Sequence, residues 1–345
     1  MLNENKSEKK QKHKKEKKKL TGTKKALIVL AVLLGIVLIV IFSFSLTVKH
    51  YLGKINRVSP DDVSAVHPSS EDFETDEEPG GEKLSPDDVK WTSGLPRLSD
   101  DPLINIMLVG QDRREGQGRQ RSDTMILCSI NTDTKQISLI SFMRDLYVQI
   151  PGGYSDNRLN ATYAFGGFPL LDETLTHNFG FSIDGNFEVD FGGFISVIDV
   201  LGGVDITMTE VEANTLLGSG AGTYHLNGEK ALNYARLRST DSDFNRTERQ
   251  RNVLTAVFTK IRGMSVTQIM GLLDAILPTL TTDMQDSEII FLVRKVAPLL
   301  SGSALTSHRV PANDAYYSAN ISGMSVLVPD VPLIREQLLD YLPLG

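Results

Sequence analysis

Residues 26–48, ALIVLAVLLGIVLIVIFSFSLTV, run for 23 positions without a charge. As a helix rising 1.5 Å per residue they span about 34 Å, enough to cross the hydrocarbon core of a bilayer. The stretch follows residues 1–25, which hold eleven Lys and three Glu. Positive charge flanking an apolar span stays on the cytoplasmic side. The expected arrangement is therefore a basic cytoplasmic tail at 1–25, a single transmembrane helix at 26–48, and the rest of the chain outside the cell. A cleaved signal would have a shorter apolar region and a small-residue cleavage site, and neither is seen here. A buried core helix is the competing reading, and the lysine block in front of the span argues against it.

The segment after the span sets a second limit. Between residues 59 and 88 there are eleven acidic residues against one Lys, with several Pro, Ser and Gly. Such a composition buries too little apolar area to offset chain entropy, so residues 49–98 read as an acidic extracellular stalk. The pentapeptide SPDDV occurs at 59–63 and again at 85–89; Ser, Pro and two acids form a helix-start signature. The single Cys128 excludes an internal disulfide and any Cys-based zinc site. An external domain must then be stabilised by its core, for which the residues from 99 to 345 are enough.

Within 99–345, residues 103–109, 124–130 and 136–142 read as strands. NTDTK makes a short polar turn between the last two. FISVIDV at 194–200 has helical spacing, and Gly202-Gly203 and a strand at 204–208 follow it. Helices are expected at 228–236, 246–262, near 266–280, near 287–300 and at 333–342, with a late strand at 325–330. Alternating strands and helices after an opening meander predict a layered α/β fold with helices on both sheet faces.

The charged residues are distributed against that frame in a definite way. Asp112 lies just past the first strand, Asp123 just before the second and Arg144 just past the third, so an antiparallel meander puts all three at one sheet end. Arg236, Arg238, Arg246, Arg249 and Arg251 fall within sixteen residues. On a helical wheel Val253, Leu254, Val257 and Ile261 form one apolar face. Arg246 and Gln250 extend that stripe, whereas Arg249 and Arg251 lie to either side. A buried unpaired guanidinium costs several kcal/mol, so Arg246 needs a negative partner. Asp241 and Asp243 are local candidates, and a multiply charged anion is the other.

Nucleic acid fits this cluster poorly: residues 89–345 carry about −8, and no aromatic platform interleaves the arginines. The phosphate-loop, zincin and serine-hydrolase motifs are missing, and the six His show no metal spacing. A pyrophosphate fits better. Asp112 and Asp123 would hold Mg²⁺, or Mn²⁺, which takes one or two carboxylates plus phosphate oxygens. Arginines would neutralise charge on the transferring phosphoryl group.

The ordered set GQDR, RSDTMIL, SFMRD, NATYAFGG, VDFGGF, VLGGVDI, LNGEKALNYARLR and DFNRTERQ, spanning roughly 103–262, resembles the LytR-CpsA-Psr family of bacterial cell-wall enzymes. The resemblance implies an α/β/α domain with a central mixed sheet, tethered outside a Gram-positive type membrane. It implies transfer of a glycopolymer, such as teichoic acid or capsule, from a polyprenyl-pyrophosphate carrier to peptidoglycan. Asp112 and Asp123 would be the Mg²⁺-linked carboxylates. Arg113, Arg121, Arg144, Arg236, Arg238 and Arg246 would face the pyrophosphate, with Asp243 and Gln250 beside them. Three places depart from the family pattern: Met143 stands for proline, Leu146 for a small polar residue, and Asn186-Phe187 for a His-Tyr pair. FISVIDVLGGV and the FGGF segments at 165–168 and 191–194 are the expected lining of a lipid cavity. Hydrolysis of the carrier with water as acceptor, and a non-catalytic lipid-binding attenuator, are the alternative functions.

Overall fold

The computed structural model describes residues 47–58, 81–92, 95–99, 102–111, 119–237, 243–301, 303–312 and 314–344. The expected membrane span falls outside these residues except for its last two positions. Among the described residues no helix is long and apolar enough to cross a membrane. Tyr51–Gly345 form one unit.

Two short strands come from the segment read as a stalk, β1 (Asn56–Arg57) and β2 (Glu82–Leu84). The meander follows as β3 (Ile104–Gln111), β4 (Ser122–Asn131) and β5 (Gln136–Phe142), antiparallel as expected. A two-residue ribbon, β6 (Tyr147–Val148) and β7 (Asn157–Arg158), leads into helix α1 (Leu159–Phe179). Strand β8 (Gly185–Asp190) then runs directly into α2 (Phe191–Val200). A hairpin of β9 (Val204–Met208) and β10 (Gly222–Leu226) brackets α3 (Glu210–Leu217). Helices α4 (Gly228–Ala235), α5 (Asp243–Arg262) and α6 (Val266–Ile276) precede β11 (Leu280–Thr282) and α7 (Asp286–Val296). The chain closes with β12 (Ala304–Val310), β13 (Tyr316–Ile321), β14 (Met324–Pro329) and α8 (Val331–Tyr341).

Seven strands form the central sheet in the order β1-β11-β8-β3-β4-β5-β12. It is mixed: β8 pairs parallel with β3 and β12 parallel with β5, around the antiparallel meander. Period-two alternation divides the side chains between its faces. Met107, Val109, Met125, Leu127, Ile140 and Phe142 pack into one core with α1 and α8. Leu108, Gly110, Thr124 and Ile126 point the other way, toward α2 and α5. The α/β/α layering is thus written in the alternation of three strands.

The stalk boundary needs correcting. β1 pairs parallel with β11, β2 pairs parallel with β13, and Leu52, Ile55 and Val89 are buried. Residues 51–58 and 81–92 therefore belong to the folded unit despite their charge, because strand pairing satisfies their backbone and a few apolar side chains reach the core. Residues 59–80 lie outside the described set.

Helix α1 was not legible in the sequence, since its segment holds Gly166, Gly167 and Pro169. The backbone answers with a kink: Gly167 takes φ 62° and ψ −151°, a conformation closed to residues with a Cβ, and Pro169 restarts the helix.

Candidate active site

Between the sheet and the layer made by α2, α4 and α5 lies a cavity of about 270 Å³. Its walls are Leu108, Ile126, Phe187 and Val189 from the sheet, Phe194, Val197 and Ile198 from α2, and Val253, Leu254 and Val257 from α5. Charged and polar groups in the lining include Asp123, Glu188, Asp190, Arg236, Arg246 and Gln250. The expectation for α5 holds: Arg246 and Gln250 continue the apolar stripe into the cavity, and Arg246 is 4% exposed.

Arg249 and Arg251 are buried elsewhere. Arg249 pairs with Glu212 at 3.3 Å and donates to the Leu237 carbonyl at 2.6 Å. Arg251 donates to Ser307 Oγ at 2.7 Å, and burial holds its guanidinium down to about 10. The arginine cluster therefore divides by face, one guanidinium of α5 to the cavity and two to the frame.

Asp123 owes its position to a bulge. Gly110 pairs with Thr124 and Gln111 with Ser122, which leaves Asp123 as the extra residue of β4. A bulge re-aims the side chain it carries; here Asp123 Oδ1 accepts from Arg144 Nη1 at 3.0 Å. Arg144 Nε also meets Asp145 at 3.3 Å, and Asp145 lies 3.7 Å from Arg158. Arg158 is anchored by two hydrogen bonds to the Ser325 carbonyl. The Asp123–Arg144 contact confirms that these two residues share a sheet end.

Arg236 follows the last residue of α4. The start of that helix is pressed against α2, where a Cβ on Gly228 would lie 2.3 Å from the Ile195 carbonyl oxygen, so only glycine fits there. At the other end the Arg236 guanidinium stacks 4.3 Å from the Phe191 ring centroid. Phe191 is the first residue of α2, whose N-cap Asp190 accepts from Gly193 N at 2.8 Å. A cation over an aromatic face gains roughly 0.5–2 kcal/mol, so Phe191 fixes where Arg236 presents its charge.

Asp112, Arg113 and Arg238 lie outside the described residues, as does the side chain of Asp243. Arg121 is half-buried just before β4 and is not part of the cavity lining. The FGGF segment at 191–194 lines the cavity as expected, but the one at 165–168 does not. Phe165 and Phe168 face α1's own core on the opposite side of the sheet, so that half of the lipid-lining expectation is corrected. Three groups escaped the sequence reading. Glu188 is 3% exposed and accepts a hydrogen bond from Tyr163 of α1. Arg119 donates to the Ala164 and Phe165 carbonyls, both at 3.1 Å. An acid between Phe187 and Val189 in β8 was the available signal for Glu188; nothing local marked Arg119 or Tyr163.

A divalent cation was expected on Asp112 and Asp123. Among the described residues no group of three or more His, Cys, Asp or Glu is placed to hold a metal. Of the two expected ligands, Asp123 lines the cavity with one oxygen directed to Arg144, and Glu188 and Asp190 are the other carboxylates of the lining. A hard ion needing one or two carboxylates and phosphate oxygens is compatible with that oxygen-only donor set.

The LytR_cpsA_psr family model matches residues 67–337. The chain belongs to the LytR-CpsA-Psr family. It is 30% identical over 244 residues to a protein of Halalkalibacterium halodurans named polyisoprenyl-teichoic acid–peptidoglycan teichoic acid transferase TagU, covering 69% of this chain and 77% of that one. It is 35% identical over 171 residues to Staphylococcus aureus regulatory protein MsrR, covering 48% of this chain and 52% of that one. The crystal structure of B. subtilis TagV superposes with a TM-score of 0.56 at 26% identity, over 70% of this chain and 98% of that one.

The departures from the LytR-CpsA-Psr pattern now have a structural reading. Met143 N donates to the Val310 carbonyl at 2.9 Å, a bond that proline could not make. The strand end carrying Arg144 is therefore tied to β12. Leu146 is fully buried in the core beside α1. Of the pair at 186–187, Phe187 lines the cavity, while Asn186 turns away and donates to Asp172 at 2.8 Å and Asp283 at 2.7 Å.

Proposed function

We propose that this chain is a membrane-anchored phosphotransferase that moves a glycopolymer from a polyprenyl-pyrophosphate carrier onto peptidoglycan. The observation that carries the reading is one cavity with apolar walls and a cluster of Asp123, Arg236, Arg246 and Gln250, backed by Arg144. Apolar walls suit a polyprenyl chain, and guanidinium groups suit a pyrophosphate, with charge-assisted contacts of about 1.5–3 kcal/mol each. The names of the TagU relatives support the same transfer.

In this mechanism the polyprenyl tail lies along α2 and α5 and brings the pyrophosphate to the arginines. A peptidoglycan hydroxyl attacks the sugar-linked phosphorus. The new P–O bond forms as the bond to the bridging oxygen breaks, and polyprenyl phosphate leaves. Arg144, Arg236 and Arg246 balance the charge that builds on the phosphoryl oxygens, with Arg238 and Arg113 assigned to the same role. Asp112 or Asp123 accepts the hydroxyl proton. Mg²⁺, or Mn²⁺, held by Asp112 and Asp123 would neutralise phosphate charge. The anchor at 26–48 places the domain outside the cell beside its lipid-borne donor.

The test supplies the full chain in lipid with a labelled polyprenyl-pyrophosphate oligosaccharide, Mg²⁺ and peptidoglycan fragments. Label on peptidoglycan supports the transferase. Label released to water would make the protein a hydrolase. Bound donor with no turnover would favour the attenuator reading, to which the name of MsrR lends its support.

A further inference from the structure

The sequence of α7, DSEIIFLVRKV, places five apolar residues in a row at 289–293. Consecutive residues on a helix point 100° apart, so five in a row cover the whole circumference and cannot all face one core. Ile289 takes the buried position, and Phe291 and Val293 are left 55% and 57% exposed. Arg294 and Lys295 follow in the last turn, and the Lys295 ammonium lies 5.8 Å from the Phe291 ring centroid. Exposed Phe and Val beside Arg and Lys are the composition of a helix lying in a lipid headgroup layer.

Connectivity names the occupant. The apolar stretch ends at Val48, only eight residues before β1 begins at Asn56. β1 pairs with β11, and the chain leaves β11 straight into α7. Arg57 of β1 ties the two together, donating to Asp286 at 2.5 Å and to the Met284 carbonyl. A chain held by its residues 26–48 in a bilayer thus enters the fold at the edge from which α7 projects. We propose that α7 lies on the bilayer surface, with Phe291 among the acyl chains and Arg294 and Lys295, three and four residues on and so on the same side of the helix, on anionic headgroups. The proposal rests on the membrane-anchor reading and adds to it the face by which the domain meets lipid.

Fluorescence quenching tests it on the full chain. Cys128 is buried and its thiol is pushed up to about 12, so it does not compete for a thiol label. Phe291→Cys and, separately, Val293→Cys are labelled with an environment-sensitive dye, with Val211→Cys on α3 as the exposed reference. The chains are placed in nanodiscs of anionic phospholipid carrying a shallow spin-label quencher. Quenching at 291 at least about twofold stronger than at 293, on the other side of α7, and at 211 is expected for an interfacial helix. Equal quenching at the three positions, with the protein in the disc, would overturn the α7 assignment alone. Failure of the chain to enter the disc would overturn the anchor reading and the proposal with it.

Discussion

At the scale of single residues, the site separates charges that bind from charges that hold the frame. Arg246 and Arg249 are three positions apart on α5, yet one lines the cavity and the other is locked to Glu212 and the Leu237 carbonyl. Arg246→Ala should lower kcat/KM for transfer by about 10- to 100-fold, the loss of one charge-assisted contact, with the urea midpoint little changed. Arg249→Ala should do the reverse, costing about 1–3 kcal/mol in urea unfolding by removing the donor to the Leu237 carbonyl and to half-buried Glu212. Trp91, the only tryptophan, stacks on Tyr147 at 6.0 Å and reports that unfolding by fluorescence. Phe191→Leu removes the ring beneath Arg236; kcat/KM should fall about 3- to 20-fold, the worth of one cation–π contact. The helical wheel separated Arg246 from its neighbours because α5 is long and its apolar stripe is clean. Phe191 gave no such signal, since a contact between α2 and the end of α4 is set by tertiary packing.

Elements show the same division between local and non-local information. The meander of β3, β4 and β5 was legible because alternating apolar residues and a polar turn are local signals. α1 was hidden by glycines and a proline that the fold uses as a kink. β12 reads ALTSHRV, with little apolar alternation, and exists because β5 offers it a parallel edge. β8 is held by another arrangement that the sequence concealed: Asn186 donates to both Asp172 of α1 and Asp283 after β11. Burial pushes the Asp172 carboxyl up to about 7, partly opposed by the Asn186 hydrogen bond and assisted by nearby Asp283. A carboxyl raised in the fold stays protonated there after the unfolded chain has lost its proton, near pH 4 for a free Asp. Stability should therefore fall between about pH 4 and pH 7 and level off above, with a slope of at most about 1.4 kcal/mol per pH unit from this group. Asp172→Asn should flatten that part of the profile, as read from urea midpoints across the range.

For the whole molecule, the instructive correction is the extent of the domain. Composition marked residues 49–98 as stalk, because eleven acids outweigh a handful of apolar side chains. Pairing of β1 with β11 and of β2 with β13, together with burial of Leu52, Ile55 and Val89, draws two parts of that segment into the fold. A chain beginning at residue 95 should melt about 10 °C or more below the full chain, since each buried aliphatic is worth about 1.5–3 kcal/mol and each kcal/mol moves a domain of this size about 2–4 °C. Activity assays on such a shortened chain would confuse lost chemistry with lost stability.

The most direct measurement is therefore label transfer by the full chain in lipid, comparing the parent with Arg236→Ala. A labelled polyprenyl-pyrophosphate oligosaccharide is the donor and peptidoglycan fragments are the acceptor. Label should reach peptidoglycan with the parent and fall at least about tenfold with Arg236→Ala at unchanged thermal stability. Equal transfer by the two proteins would contradict a pyrophosphate site at this cavity, and no transfer by either would contradict the ligase.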